Sequence, residues 1–203
     1  MLFVITAPSG AGKTTLWKRT ITQVPNLKFS ISHTTRKPRQ GEVDGKDYYF
    51  VSDEVFDELI KKGAFVEWAW VYGNRYGTSW AEIERAKKDS VDLIIEIDQQ
   101  GAKQLKKALP EAILIFILPP SLASLRERLN LRGTDTEEEI TRRLKIASDE
   151  ISEYYAFDYI IINDDLEDAV RKLTSIITAE RSKVKVMEPS IRKLLGGKGM
   201  VND

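Results

Sequence analysis

"LFVITAPSGAGKTT" (residues 2–15) runs through five apolar or β-branched residues, then through small residues and glycines, and ends on a lysine and two threonines. A short apolar run without alternation reads as a strand buried on both faces, as in a parallel sheet. A glycine-rich turn from such a strand into a helix lets backbone N–H groups converge on an anion, and the helix N-terminus adds its partial positive charge. Here Ser9, Gly10, Ala11 and Gly12 would form the cradle, with Lys13 reaching the β- and γ-phosphates of a nucleotide. Thr14 would ligate Mg2+ through its hydroxyl, and Thr15 follows in the first helical turn. The pattern G-x-x-x-x-G-K-[ST] is met except at its first position, where the small residue Ala7 replaces glycine. The bland alternative is an ordinary β-to-α turn with a surface lysine, and it does not require strand, turn and helix to coincide in this way. The loop implies a nucleoside triphosphate and leaves its acceptor open.

Outward from the loop, further apolar runs alternate with stretches of helical period: "FSIS" (29–32), "VDLIIEID" (91–98), "AILIFIL" (112–118) and "DYIIIN" (158–163). Leu122, Leu125 and Leu129, then Ile140, Leu144, Ala147 and Ile151, then Leu166, Ala169, Val170, Leu173 and Ile177 mark three of the helices. "TDTEEE" and "NDDLED" supply N-caps and acidic first turns to the last two. The expected fold class is α/β, a five-stranded parallel sheet flanked by helices in the manner of P-loop NTPases.

Residues 33–80 interrupt the alternation with the turn-rich, charged "TTRKPRQGEVDGKDYYFVS", a short helix and one aromatic strand, "AFVEWAWVYGNRYGTS". They are expected to form an inserted subdomain, with residues 1–32 and 81–185 as the core. The polar connection "LRGTDTEE" is expected to be a mobile lid over about residues 131–140. After about Val186 the periodicity fades, so residues 186–203 read as a flexible tail in which "SIRKLL" could form one apolar turn.

The chain has 203 residues, 42% of them hydrophobic, enough for one substantial core. No apolar run approaches the ~20 residues that span a bilayer, and no basic segment precedes a cleavage-like site, so a cytoplasmic protein with no membrane partner is expected. With no cysteine and one histidine, disulfides and zinc-type clusters are excluded, and a metal would be held by oxygen. The 31 basic and 31 acidic residues cancel, giving no global field toward nucleic acid. No feature of the sequence sets an oligomeric state.

The acceptor is addressed by "SISHTTRKPRQGEVDGKDYYF" (30–50), where Arg36 and Arg39 lie close together and Tyr48 follows. Two guanidinium forks and a phenol can hold a second phosphate through bidentate, charge-assisted hydrogen bonds. Lys28, Arg36, Lys37, Arg39 and Lys46 against Glu42 and Asp44 leave a local surplus of positive charge, for which contact with RNA is the bland alternative.

At this point the chain resembles the guanylate kinases, from Leu2 to about Arg181. The resemblance is carried by "APSGAGKTT", "SISHTTRKPRQGEVDGKDYYF", "FVEW" with "GNRYGTS", "IEIDQQGA", "LRERLNLRGTDTEEEITRRL" and "IIINDDL", in the family's order. It implies Mg2+-dependent transfer of the γ-phosphoryl group of ATP to GMP, with GMP in the insertion and a lid over ATP. It also implies acceptor-phosphate contacts at Arg36, Arg39, Tyr48 and Tyr76, guanine reading by Ser32, Glu67 and Thr78, and an acidic residue near the reacting phosphates at Asp98. Charge-neutralising arginines align with Arg128, Arg132 and Arg143, and an adenine contact with Asn163. Chemistry agrees for Glu67, because a carboxylate can accept from guanine N1–H and the N2 amino group, whereas adenine offers no donor at N1. Such a site discriminates by roughly 10⁴-fold or more.

Blander readings stand beside these roles. Glu67 could be a surface glutamate on an amphipathic strand, and Tyr48 and Tyr76 could be packing aromatics. Trp68, Trp70 and Trp80 read as packing, His33 as structural, and Arg126 and Arg142 as partners of the Glu137–Glu139 cluster. Glu96 stands where the family often has aspartate, which leaves its part in holding Mg2+ open. Two other functions are compatible with the resemblance: a non-catalytic phosphopeptide-binding module, which typically lacks an intact phosphate loop, and a sugar-phosphate kinase, which has no need of Ser32, Glu67 and Thr78.

Overall fold

Each β-branched run buried on both faces becomes a strand of one parallel sheet. A computed structural model describes residues 1–131 and 136–196. In it β1 (Leu2–Thr6), β2 (Leu27–Phe29), β7 (Asp92–Glu96), β8 (Ile113–Leu118) and β9 (Tyr159–Ile162) lie in the order β2-β7-β1-β8-β9, all neighbours parallel. β1 is central, with Val4 in register with Ile95 on one side and Leu114 on the other. The period of two sends Phe3 and Ile5 to one face and Leu2 and Val4 to the other. On the first face they meet α1 (Lys13–Gln23) and α7 (Leu166–Arg181) through Leu16, Val170, Leu173 and Ile177. On the second they meet α3 (Trp80–Lys88) and α4 (Gln99–Ala108) through Ile83, Ala102 and Leu105. Each such aliphatic side chain stabilises the fold by about 1.5–3 kcal/mol, so truncating central Ile95 would cost about 2–5 kcal/mol.

The strand expected over 29–32 begins and ends earlier. Leu27 pairs with Asp92 and Phe29 with Ile94, and after the bond from Ser30 N–H to the Ile94 carbonyl the chain leaves the sheet. The remaining helices of the core, α5 (Leu122–Leu131) and α6 (Glu137–Ser152), pack through Leu125, Leu129, Ile140 and Ala147. As expected, Thr136 caps α6 by accepting from Glu139 N–H, and Asp165 caps α7 by accepting from Asp168 N–H. Of the expected lid, residues 132–135, Arg132 among them, lie outside the described residues, and 137–140 form the first turn of α6.

Residues 33–79 build a second sheet, β4-β3-β6-β5, from β3 (His33–Thr34), β4 (Tyr49–Phe50), β5 (Phe65–Val71) and β6 (Asn74–Ser79), with α2 (Asp53–Lys61) between β4 and β5. The single aromatic strand expected over 64–79 is a hairpin, turned at Tyr72 (φ 49°) and Gly73 (φ 77°), since Val71 pairs with Asn74. Two consecutive positive φ values mark the tight turn whose twist suits a hairpin. Buried Arg75 ties α2 to that hairpin: it pairs with Asp57 and with Asp53 (2.6 Å), and its guanidinium lies 4.9 Å from the Phe56 ring.

The expected tail is helical over its first part. α8 (Val184–Leu194) carries Val184, Met187, Ile191 and Leu194 along one exposed stripe, although Pro189 within it supplies no N–H. Residues 197–203 lie outside the described part of the chain.

Candidate active site

Helix α1 begins without a side-chain cap, because its N-cap is Gly12 at φ 91°. The first-turn N–H groups therefore keep their donors for another acceptor. Gly10 takes φ 98°, and a Cβ on Gly12 would come within 2.5 Å of Asn163 Nδ2. Asn163 lies at the end of β9, where its Nδ2 donates to the Ala11 carbonyl at 2.8 Å. Arg128 reaches the same carbonyl through NH1 at 3.4 Å and the Asn163 carbonyl through NH2 at 2.8 Å. Asn163, aligned with an adenine contact, thus uses its amide N–H to shape the loop. Lys13 Nζ donates to the Ala7 carbonyl at 2.8 Å, and Arg143 NH1 to Ser9 Oγ at 3.3 Å. Thr15 is exposed on the first turn of α1.

Thr14 Oγ1 donates to Glu96 Oε2 at 3.4 Å, and Trp17 Nε1 donates to the same oxygen at 2.5 Å. Trp17 is fixed by stacking on Phe29 at 3.9 Å between centroids. Glu96, the residue whose role was open, is therefore held beside the Thr14 hydroxyl by a tryptophan that sequence reasoning left unmentioned.

A cleft of about 700 Å³ runs from this loop to the second sheet. It is lined by Ser9, Lys13, Thr14, Ser32, Arg36, Arg39, Tyr48, Glu67, Tyr76 and Asp98, all expected, together with Glu42, Tyr72, Glu96, Arg142 and Glu150. The cleft lies at the carboxyl ends of β1 and β7, where open α/β sheets bind ligands.

Glu67 is 3% exposed, which overturns its reading as a surface glutamate. Its Oε1 accepts from Thr78 N–H at 2.9 Å and Thr78 Oγ1 at 2.6 Å, while Oε2 lies so close to Gly101 that a Cβ there would come within 2.5 Å. Burial pushes its carboxyl up to about 7, against the pull of the two Thr78 hydrogen bonds. Arg36 donates from Nε to Tyr76 Oη at 3.2 Å and from NH2 to Glu42 Oε1 at 2.8 Å, and its guanidinium lies 5.4 Å from the Tyr48 ring. Glu42 also accepts from Arg39 N–H at 2.7 Å, so one carboxylate braces the turn carrying both arginines. The Arg36 hydrogen bond holds that carboxyl below its usual range. Burial pushes the Tyr48 phenol up to about 12, keeping it a neutral donor.

Asp98 caps α4 by accepting from Gly101 N–H at 2.8 Å, and burial raises its carboxyl above the ordinary value against the pull of Lys13. Glu150 on α6 is raised to about 7 by burial, with Lys13 drawing it down and Asp98 pushing it up. Nothing in the local sequence marked Glu150, because the groups that act on it, Lys13 at the start of α1, Asp98 at the cap of α4 and Tyr72 of the hairpin, are all far along the chain.

The blander readings divide. Arg126 does pair with Glu137 at 2.7 Å, but Arg142 faces the cleft. His33 packs between Tyr49 and Phe65, at 4.7 and 5.5 Å, and burial lowers its titration. Trp70 is 56% exposed, with the Arg75 guanidinium 5.4 Å from its ring. Tyr48 and Tyr76 meet edge to face at 5.8 Å, so packing accompanies the Arg36 contact.

Residues 1–180 match the family model described as guanylate kinase. The chain belongs to the guanylate kinase family. It is 50% identical over 189 residues to a guanylate kinase of Geobacter metallireducens, covering 93% of each chain. It is 52% identical over 180 residues to one from Syntrophotalea carbinolica, covering 89% of this chain and 86% of that one. The crystal structure of guanylate kinase from Anaplasma phagocytophilum superposes with a TM-score of 0.78 at 34% identity, covering 100% of this chain and 97% of the other. The enzyme is a nucleoside monophosphate kinase of α/β phosphate-loop fold.

Proposed function

We infer that this cleft binds ATP at the phosphate loop and GMP beneath the second sheet, and transfers the γ-phosphoryl group to give ADP and GDP. One observation carries the reading: the Lys13–Thr14 loop, the Arg36–Tyr76 pair and the buried Glu67, which Thr78 anchors, line a single cleft.

A phosphate oxygen of GMP attacks the γ-phosphorus as its bond to the β-bridging oxygen breaks, and the bridging oxygen leaves on ADP. The protein has little covalent work to do in such a transfer, so alignment and charge neutralisation dominate. Lys13 exchanges its bond to the Ala7 carbonyl for the β- and γ-phosphates. Arg36 and Arg39, with the neutral phenols of Tyr48 and Tyr76, orient the GMP phosphate. Arg128 and Arg143, with Arg132 from the connection between α5 and α6, neutralise charge on the transferring group. Glu67 accepts from guanine N1–H and N2–H, oriented by Thr78, with Ser32 beside it. Asp98 stands near the reacting phosphates.

Among the described residues no group of three or more His, Asp or Glu side chains could hold a metal ion by itself, so the fit to Mg2+ rests on a different donor set. Thr14 Oγ1 with Glu96 Oε2 beside it is an all-oxygen set suited to an octahedral ion that keeps water and phosphate ligands. Thr14 would hold Mg2+ directly and Glu96 through water, and the ion would supply charge neutralisation at the β- and γ-phosphates.

Residues 1–32 and 81–185 serve as the core, 33–80 as the acceptor-binding unit, about 131–140 as a lid that excludes water, and 186–203 as an appended segment. Among the described residues no helix is long and apolar enough to cross a membrane, and the proposed location is cytoplasmic. No role for nucleic acid is proposed.

The test is ADP formation from ATP and Mg2+ with GMP, AMP, CMP, UMP or ribose 5-phosphate offered separately. Turnover with GMP alone is expected. Preferential use of another acceptor would refute the base pocket, and no turnover with any of them would refute the reaction.

A further inference from the structure

The first position of the two-residue turn between β5 and β6 favours Asn, Asp or Gly, because φ is positive there. In this chain it holds Tyr72, at φ 49°. A bulky residue in that conformation is strained and persists where its surroundings hold it. What holds it belongs to another element. The ring lies against the Arg143 guanidinium of α6, which is 5.5 Å from the ring centroid. Arg143 NH1 donates to the Ser9 hydroxyl of the phosphate loop at 3.3 Å, so Arg143 links the hairpin tip on one side to the loop on the other. A guanidinium over an aromatic face is attracted by the ring quadrupole, and such a seat directs its N–H donors without neutralising their charge.

We propose that Tyr72 is a positioning residue for Arg143, seating its guanidinium against the phosphate loop from the tip of the acceptor-side hairpin. The role rests on the reading of Arg143 as a charge-neutralising arginine in the transfer. It also gives the hairpin a stake in the donor site: the sheet that carries Glu67 and Tyr76 reaches, through Arg143, the loop that carries Lys13. Because the seat lies beside Ser9, it acts on the transferring phosphoryl group and leaves guanine recognition to Glu67 and Thr78.

The deciding variant is Tyr72→Asn, since Asn suits the turn and removes both ring and phenol. Its melting temperature should equal or exceed that of wild type, while kcat falls about three- to thirty-fold, the range of a cation–π contact from exposed to desolvated. KM for GMP should stay within about twofold, because Arg36, Glu67 and Thr78 are untouched. Tyr72→Phe keeps the ring and should lose less than about threefold in kcat. In an Arg143→Met background, Tyr72→Asn should add less than about twofold. An unchanged kcat in Tyr72→Asn overturns the proposal, as does a loss that multiplies in full with Arg143→Met or one that tracks a fall in melting temperature. The wild-type acceptor is measured alongside. Should it not be GMP, the base pocket falls, and the Tyr72–Arg143 coupling is read with the acceptor that is used.

Discussion

Replacing Glu67 with Gln changes one atom and should move activity and stability in opposite directions. The carboxylate is 3% exposed and anchored by two hydrogen bonds from Thr78, so Gln can keep Oε1 in place and put an NH2 at Oε2. That NH2 would face the guanine N1–H and N2–H donors with another donor. Losing two charge-assisted hydrogen bonds, at about 1.5–3 kcal/mol each, predicts a fall in kcat/KM for GMP of roughly 10²–10⁴-fold. Stability follows the opposite sign. A carboxyl raised from 4.5 to about 7 favours the folded chain when protonated and burdens it when ionised, by about 3 kcal/mol at pH 8. Gln removes that burden, and an unpartnered buried amide takes back about 1–3 kcal/mol. Thermal unfolding at pH 8 should therefore show Glu67→Gln melting at the wild-type temperature or up to roughly 6 °C above it. At pH 5, where Glu67 is already largely protonated, the variant should melt no higher than wild type. Unchanged GMP kinetics, or a lower melting point at pH 8, would refute both the buried charge and its purpose.

Three further outcomes are expected. KM for GMP should rise as pH falls below about 7, by up to about tenfold per unit, because GMP selects the ionised form of Glu67. The second ionisation of the GMP phosphate, near roughly 6, affects Glu67→Gln equally, so parallel profiles for the two enzymes would contradict the assignment. Lys13→Ala should lower kcat by roughly 10²–10³-fold or more with little change in melting temperature, since among the described residues the Lys13 amine gives up one hydrogen bond, to the Ala7 carbonyl; near-normal turnover would remove the loop from the mechanism. Asn163→Ala should raise KM for ATP about tenfold while sparing KM for GMP, because it leaves the Ala11 carbonyl with the longer Arg128 bond in place of the 2.8 Å one; steady-state kinetics with each substrate varied would expose an error if both moved together.

The central sheet was legible because parallel strands buried on both faces carry unbroken apolar runs, and β1, β7, β8 and β9 do so. β2 was misplaced by two residues at its start and three at its end, since three residues, only one of them buried, are too few for an apolar run or a sustained alternation to show. The hairpin was missed because Tyr72 occupies a position where Asn or Gly would have announced the turn. Helix α8 was hidden by Pro189, although the 3-4-3 spacing of Val184, Met187, Ile191 and Leu194 was available.

Within the site, residues inside compact motifs were legible: the structure brings Lys13, Arg36, Glu67 and Tyr76 to one cleft. Glu150 and Trp17 were not, because each gains its role from a partner about 50 or more residues away, Asp98 and Glu96 respectively. Glu42 was counted only as a charge. An acid three residues after an arginine, in a turn-rich segment, was the available hint that its side chain folds back on the Arg39 amide.

The bonds that grip the phosphate loop also set how it meets a ligand. The Ala11 carbonyl is taken by Asn163, the Pro8 carbonyl by the Ala11 amide and the Ala7 carbonyl by Lys13. With those acceptors satisfied inside the protein, the loop needs no folding step when a polyphosphate arrives, only the exchange of one lysine hydrogen bond for another. Association should then be a single encounter whose observed rate climbs linearly with nucleotide concentration, without the plateau that a slow ordering step imposes.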